Sequence, residues 1–384
     1  MKKNIVKYQP GEIIKQADNY LGHLNYLTPE KNEPFLIPYR KGNKWGFCTE
    51  DKKIVIDCVY DNVKPFSEGL ACVSLKGRGY FFINSSNQVL IPEIQDGIPS
   101  SFDGGVSKIA KISHQGVISY SYIDKRGKNL VPFVYVLQEF SEGLAAIKIN
   151  NKFGFISKQG DIVIPCKFEV NYEHRMHSIG KFSEGLCRVK QSDKWFYLNK
   201  NGEVEIVCDF DCVYDFSNGV AAVFNNGKWG FIDKQGNVVI PFQYDSVDGL
   251  FSEGLTSVRI GEYFGFINIS GKTVIPFKYR LVGEFSEGLT YVQNDDYLYG
   301  FINMAGETTI PFKFEHLSSF SGGLAFYRNH SKCGFINIYG EKIISFNYDY
   351  VKNLHNGILK VGFETPGQPN EWYINLKGVE YRED

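Results

Sequence analysis

The sequence predicts an all-β fold built from about ten tandem units of roughly 35 residues, each a three-stranded meander. Three observations carry that expectation. FSEGL or a near relative begins at Phe66, Phe102, Phe140, Phe182, Phe216, Phe251, Phe285 and Phe320, at intervals of 34 to 42 residues. Asp or Asn stands three residues before Gly in seven copies of one turn: Asp124/Gly127, Asn199/Gly202, Asp233/Gly236, Asn268/Gly271, Asn303/Gly306, Asn337/Gly340 and Asn375/Gly378. Aromatic residues make up 15% of the chain, and 39 glycines are spread among apolar runs, the composition of packed strands joined by tight turns.

Residues 216–250 show one unit. After Phe216-Ser-Asn-Gly comes VAAVFNN, a first strand, then KWGFID, a second. The Asx side chain of Asp233 caps a type I turn and Gly236 accepts the left-handed conformation that closes it, so NVVIP returns as a third strand. In an early unit Asn87 takes the glycine's place, as the next-best residue for that conformation. Third strands end in Ile-Pro at Ile91-Pro92, Ile164-Pro165, Ile240-Pro241, Ile275-Pro276 and Ile310-Pro311, and proline marks a strand end or an unpaired edge. An aromatic–acid step follows, as in Tyr244-Asp245 and Phe314-Glu315, and FSEG then makes a second turn, its Ser bonding the local backbone. Glycine beside an aromatic recurs at 46, 154, 230, 265 and 300, which calls for a close neighbour, expected to be an aromatic ring of the next unit.

These motifs resemble the bacterial WG-repeat family. Trp45-Gly46 and Trp229-Gly230 match its Trp-Gly pair in full; Phe153-Gly154, Phe264-Gly265 and Tyr299-Gly300 keep an aromatic, and Cys333-Gly334 keeps the glycine. Tyr80-Phe81, Tyr120-Ser121, Trp195-Phe196 and Glu371-Trp372 depart further. The resemblance spans roughly residues 35–384. It implies a non-catalytic repeat module of mostly bacterial occurrence and brings no catalytic residues.

One unit cannot hide both of its faces, so neighbours must stack. The first unit has its own FLIPYRK strand and the last has GILKVGF, EWYIN and GVEYRE, so neither end is short of a strand. An open β-superhelix is therefore the expectation, with a closed propeller-like ring as the alternative. Residues 1–34 form a separate N-terminal cap, with a helix at about 11–25 whose residues Ile13, Ile14, Ala17, Tyr20, Leu21 and Leu24 share one face. That helix covers the first unit's edge, or docks a partner.

Composition narrows the partners. With 42 Lys+Arg against 43 Asp+Glu and no long run of one sign, a nucleic acid is not expected. No stretch approaches a membrane span, and MKKNIVKYQPGEIIKQ lacks the apolar run of a signal peptide, which points to the cytoplasm. The eight cysteines have no framework spacing. Cys58, Cys166 and Cys208 share the position held elsewhere by Phe242, Phe277 and Phe312, as small fillers of a core slot.

No constellation of catalytic residues emerges, and neither a cofactor nor a metal is expected. GFINISGKT at 265–273 has five residues between Gly265 and Gly271 where a phosphate loop needs four, and it coincides with the repeat's own hairpin. The row of FSEG glutamates, Glu68, Glu142, Glu184, Glu253 and Glu287, is read as turn acids bonded to nearby amides rather than as a ladder for a cation. The period breaks at an insertion over 169–182, and the hairpin at 111–122 is longer than its counterparts. Insertions in repeat proteins gather on one side, often the binding side, which makes Tyr172, His174, Arg175 and His177 the candidate interaction loop. The expected function is a non-catalytic scaffold for a protein partner; the alternative is a glycan or cell-envelope binding module using exposed aromatics.

Overall fold

A computed structural model describes residues 35–383 apart from 95–96, 114–115, 117, 133–137, 170–178, 192–193, 249, 331, 347–349, 356–357, 364–369 and 376. The helix expected over 11–25 lies outside the described residues, as does the rest of the 1–34 segment. Among the described residues no helix is long and apolar enough to cross a membrane.

The described residues form nine sheets arranged as a ring, a nine-bladed β-propeller. Eight blades follow one another along the chain, spanning 62–94, 98–124, 144–169, 187–208, 212–244, 246–279, 281–314 and 316–346. The ninth is a seven-stranded sheet shared by the two ends of the chain. Five of the eight sequential blades are four-stranded where three strands were expected, while those over 98–124, 144–169 and 187–208 show three strands among the described residues. In blade 5 the strands are Cys212–Val213, Val220–Asn225, Lys228–Asp233 and Val238–Tyr244, paired in sequence order. The strand that periodicity missed has two residues, too few to show an alternation.

The open superhelix is overturned by how the ends meet. Ile37–Lys41 pairs in parallel with Glu380–Glu383, with Arg40 opposite Arg382 and Lys41 opposite Glu383. Neither end lacked a strand, as the sequence showed; the two terminal units instead share one sheet edge to edge. Side chains fasten the seam: Arg40 Nη1 donates to the Glu371 carbonyl at 2.8 Å, and the Trp45 and Tyr373 rings meet edge-on at 5.7 Å.

The core confirms closure. Ten apolar clusters of described residues each span one junction between consecutive units. Phe231, Ile240 and Tyr244 meet Val247, Phe251 and Val258 at one junction, and Ile37 and Cys48 meet Ile358, Tyr373 and Tyr381 at the seam. At eight junctions the plug is an aromatic pair. The ring two residues beyond the Trp position packs on the FSEG phenylalanine of the next unit, as in Phe301–Phe320 at 4.5 Å and Phe231–Phe251 at 5.5 Å. Each such pair adds about 0.5–1.5 kcal/mol beyond the area it buries.

The glycine beside the Trp position serves another purpose than the one expected. Trp229 pairs with Tyr244 and Phe231 with Ile240, so three residues, 241–243, bulge opposite Gly230. A Cβ on Gly230 would lie 2.7 Å from the Ile240 carbonyl oxygen and 3.1 Å from the Phe242 nitrogen. The close neighbour is thus the backbone of the glycine's own sheet, not a ring from the next unit. The Asx turns follow expectation: Asp233 Oδ1 accepts from the amides of Gln235 and Asn237 at 2.9 and 2.8 Å, Gly236 has φ +83°, and Asn87 has φ +61° in the glycine's stead. All eight cysteines are free; Cys58 and Cys166 are half-buried and the others buried, with burial pushing Cys48, Cys72 and Cys208 up to about 12.

Candidate interaction faces

Antiparallel strands send alternate turns to opposite ends of each blade. The FSEG and Asx–Gly turns therefore share one face of the ring. The turns between second and third strands, and the links from one blade to the next, share the other.

On the first face the FSEG turns are linked in series. Ser67 and Leu70 exchange two backbone bonds around Glu68 and Gly69, whose φ values of +51° and +82° make a two-residue hairpin. The serine does not bond locally, contrary to expectation. Its hydroxyl donates to the carbonyl of the next turn's phenylalanine: Ser67 to Phe102 at 2.7 Å, Ser183 to Phe216 at 2.7 Å, Ser252 to Phe285 at 2.7 Å and Ser286 to Phe320 at 2.8 Å. The glutamate accepts from the next turn's glycine amide, as Glu253 does from Gly288 at 2.9 Å and Glu287 from Gly323 at 2.8 Å. The reading of these glutamates as acids bonded to amides holds, but the amides belong to the neighbouring blade. That tether accounts for glutamate in a left-handed conformation that residues other than glycine and asparagine seldom adopt.

A lysine one residue beyond the Asx position completes the clasp in part of the ring. Lys125 pairs with Glu68 at 3.2 Å, Lys200 with Glu142 at 3.0 Å and Lys234 with Glu184 at 3.1 Å, each reaching back to the preceding blade. Partial burial works to raise the Glu142 carboxyl, but the Lys200 ammonium and the amides of Gly185 and Glu184 outweigh it, and the group sits below its usual range. In blades 6, 7 and 8 the lysine position holds Ile269, Met304 and Ile338.

On the opposite face the acid of the aromatic–acid step caps the turn between second and third strands. Asp61 accepts from the Lys76 amide at 2.6 Å, Asp245 from Gly261 at 2.7 Å and Glu315 from His330 at 2.6 Å. Blade 7 reverses the charges: Arg280 replaces the acid and pairs with Asp295 of the turn at 2.9 Å. The described ends of both departures from the period, Phe168 and Ile179 around the insertion and Ile112 and Ile118 of the long hairpin, lie on this face. Tyr172, His174, Arg175 and His177 themselves lie outside the described residues.

Between the faces, the first two strands of each blade carry a cross-strand pair that does not repeat in chemistry but does in volume. Gly180 faces Arg188, Tyr214 faces Ala222, Asp248 faces Ser257 and Gly283 faces Tyr291, one large residue and one small each time. Arg188 is bound by Asp215 at 2.8 Å and by the Val213 carbonyl at 3.1 Å, which fills the gap to the next blade. Asp248 is exposed as a residue, while its carboxyl end lies against protein beside Ser257. Burial pushes its carboxyl above the usual range, and the Ser257 hydroxyl, its hydrogen-bond partner, only partly offsets this.

Sequence reasoning missed the serine–carbonyl links, the aromatic plugs and the lysine clasp. Comparing copies column by column would have shown the last, since Lys125, Lys158, Lys200 and Lys234 all follow the Asx or Ser that opens the turn.

Solved structures similar to this chain are distant in sequence. A eukaryotic initiation factor is 12% identical, with 79% of this chain and 93% of that one covered and a TM-score of 0.56. BamB from Moraxella catarrhalis is 10% identical over 73% and 94% of the two chains at a TM-score of 0.39, and the WD40 β-propeller domain of Doa1 is 11% identical over 56% and 87% at 0.29. At 12% identity the likeness to the initiation factor speaks to fold alone. No curated protein matches the chain. The model of the family described as WG containing repeat matches residues 45–78, 120–153, 153–195, 195–229, 229–263, 264–297, 299–333 and 334–362, most of the chain, with junctions at the aromatic beside each glycine or its replacement. The chain belongs to the WG containing repeat family.

Proposed function

We propose that the chain is a non-catalytic scaffold on which a protein partner docks. One observation carries this reading: the residues that recur from blade to blade are used in construction, while those at the turn tips change. The FSEG phenylalanines plug junctions, the serines and glutamates link blades, and the glycines accommodate bulges. A rigid ring with variable turns on both faces is a platform whose specificity is set turn by turn. The glycan reading needs exposed aromatic platforms. Trp195, Trp229 and Trp372 are buried and Trp45 is half-buried against Tyr373, which leaves the exposed Tyr297 and Tyr339 as its platforms. Free cysteines at core positions favour a reducing compartment, and we place the protein in the cytoplasm.

The test is affinity purification of the tagged chain from its native host after mild cross-linking, with mass spectrometry. A stoichiometric protein partner is the expected result. Recovery of the chain alone, together with retention on polysaccharide, would replace this reading with the glycan one.

A further inference from the structure

Blades 6–8 lack the lysines that complete the clasps of blades 2, 4 and 5, and what replaces them forms a sector unlike the rest of that face. Where Lys125, Lys200 and Lys234 each bring an ammonium within 3.2 Å of the preceding glutamate, the same positions hold Ile269, Met304 and Ile338. Ile269 is 46% exposed and Met304 39%, and Ile338 is half-buried. Glu253 and Glu287, the carboxylates behind Met304 and Ile338, are exposed and keep their bond to the next glycine amide, with no salt bridge among the described residues.

We propose that this sector docks a basic, amphipathic segment of a partner protein, whose Lys or Arg side chains take the positions of the missing lysines on Glu253 and Glu287 and whose apolar residues cover Ile269 and Met304. The proposal rests on the scaffold reading and names the chemistry of the partner. Charge complementarity selects the occupant. The same glutamate in the same turn, with the same amide on one oxygen, receives an ammonium in three other blades, so the carboxylate is already oriented for one. An acidic partner would set like charges against Glu253 and Glu287, and a purely apolar one would leave both carboxylates covered and unpaired. Exposed Ile and Met at adjacent turn tips, rimmed by these acids, supply the apolar contact that gives such a pairing affinity beyond a surface ion pair.

The test uses the full chain and a fluorescein-labelled peptide of alternating Lys and Leu, with alternating Glu–Leu and Lys–Ser peptides as controls, read by anisotropy at two salt concentrations. The informative variant restores the repeat's own residue: Ile269→Lys, Met304→Lys and Ile338→Lys together. It is expected to fold, since three other blades carry that lysine, and to bind the Lys–Leu peptide at least about tenfold more weakly, a loss of about 1.4 kcal/mol. Glu253→Gln with Glu287→Gln, which keeps every apolar contact, should lose the salt dependence as well as affinity. The control peptides should bind more weakly than Lys–Leu to the unmodified chain. Equal binding of the Lys–Leu peptide to the unmodified chain and both variants, or no binding to any, overturns the proposal. A protein partner captured equally well by the lysine variant would also overturn it while leaving the scaffold reading intact; a chain that captures no protein would remove that reading first.

Discussion

Gly265 lies directly beneath the Ile275 carbonyl: a Cβ at this position would stand 2.7 Å from that oxygen, 3.0 Å from the Phe277 nitrogen and 3.1 Å from the Pro276 carbonyl carbon. Where the aromatic–Gly and Ile-Pro motifs occur together they are the two strands of one bulge, with residues 276–278 opposite Gly265; the glycine does not require the proline, since 57–59 bulge in the same way opposite Gly46 with Asp57 in the proline's place. Blade 4 has neither, with Phe196 and Val207 in their places, and its strands pair without a bulge there: Trp195 to Cys208, Phe196 to Val207, Tyr197 to Ile206. Blade 1 has proline but Phe81 for glycine, and there only two residues, 92 and 93, stand opposite Phe81. Blade 8 keeps Gly334 but has Ser345 for proline and stays in regular register. An outer edge strand that bulges and carries proline is also a poor template for pairing with another chain.

Gly265→Ala should therefore destabilise the fold strongly. The atoms it would meet are backbone on one side and cannot rotate away, so an overpacking cost of about 1–3 kcal/mol is expected. The check is the urea midpoint against the unmodified chain; an unchanged midpoint would refute the bulge argument.

The clasp between blades makes a graded prediction. Ser252→Ala removes the donor to the Phe285 carbonyl and should cost about 0.5–1.5 kcal/mol. Glu287→Ala removes the acceptor of the Gly323 amide and leaves alanine at φ +57°, whereas Glu287→Asn puts there a residue that tolerates the conformation. Asn218 already occupies the equivalent position, donating to the Phe251 carbonyl at 3.0 Å. The order of thermal stability should be unmodified, then Asn close behind, then Ala. Asn falling to the level of Ala would show that the tether, not the turn conformation, dominates.

How much of this was legible follows from the range of each interaction. The Asx–Gly turn was readable because Asp233 and Gly236 act within five residues on their own backbone. The period was readable because it repeats. The role of Gly230 was misassigned because the neighbour that forbids its Cβ, Ile240, lies ten positions away in the same sheet, and sequence alone does not separate that from a contact across blades. Ring closure was invisible for a similar reason: Arg40 and Arg382 pair across nearly the whole chain, and the expectation that a ring needs a strand deficit did not foresee an edge-to-edge seam.

Asp248 gives the molecule a pH signature. Its folded-state pKa is raised by burial above the unfolded value of about 4. Below that unfolded value both states are protonated and the group costs nothing. As pH rises from about 4 through the raised folded value, the unfolded chain releases its proton first and stability is lost. Asp248→Asn should thus leave stability near pH 3.5 almost unchanged and increase it at neutral pH, the Ser257 bond being available to the amide oxygen. Melting curves at the two pH values decide it, and a variant that destabilises equally at both would remove the titration argument.

The seam yields the last prediction, a contrast between two lesions of the same strand. Lys41 and Glu383 form an ion pair at 2.8 Å, but their side chains are 65% and 53% exposed, so Glu383→Gln should leave stability almost unchanged. Removing residues 380–384 is different in kind. It takes away the parallel partner of Ile37–Lys41 together with Tyr381, which lies in the seam cluster with Ile37, Cys48, Ile358 and Tyr373. An open edge is the result, and an open edge seeks another. Amide exchange should speed up in Ile37–Lys41 of the truncated chain but not of the Glu383→Gln variant, and the truncated chain should self-associate as its concentration rises. Protection of those amides unchanged by truncation would mean that the apolar junctions alone hold the ring shut, with the seam strands contributing little.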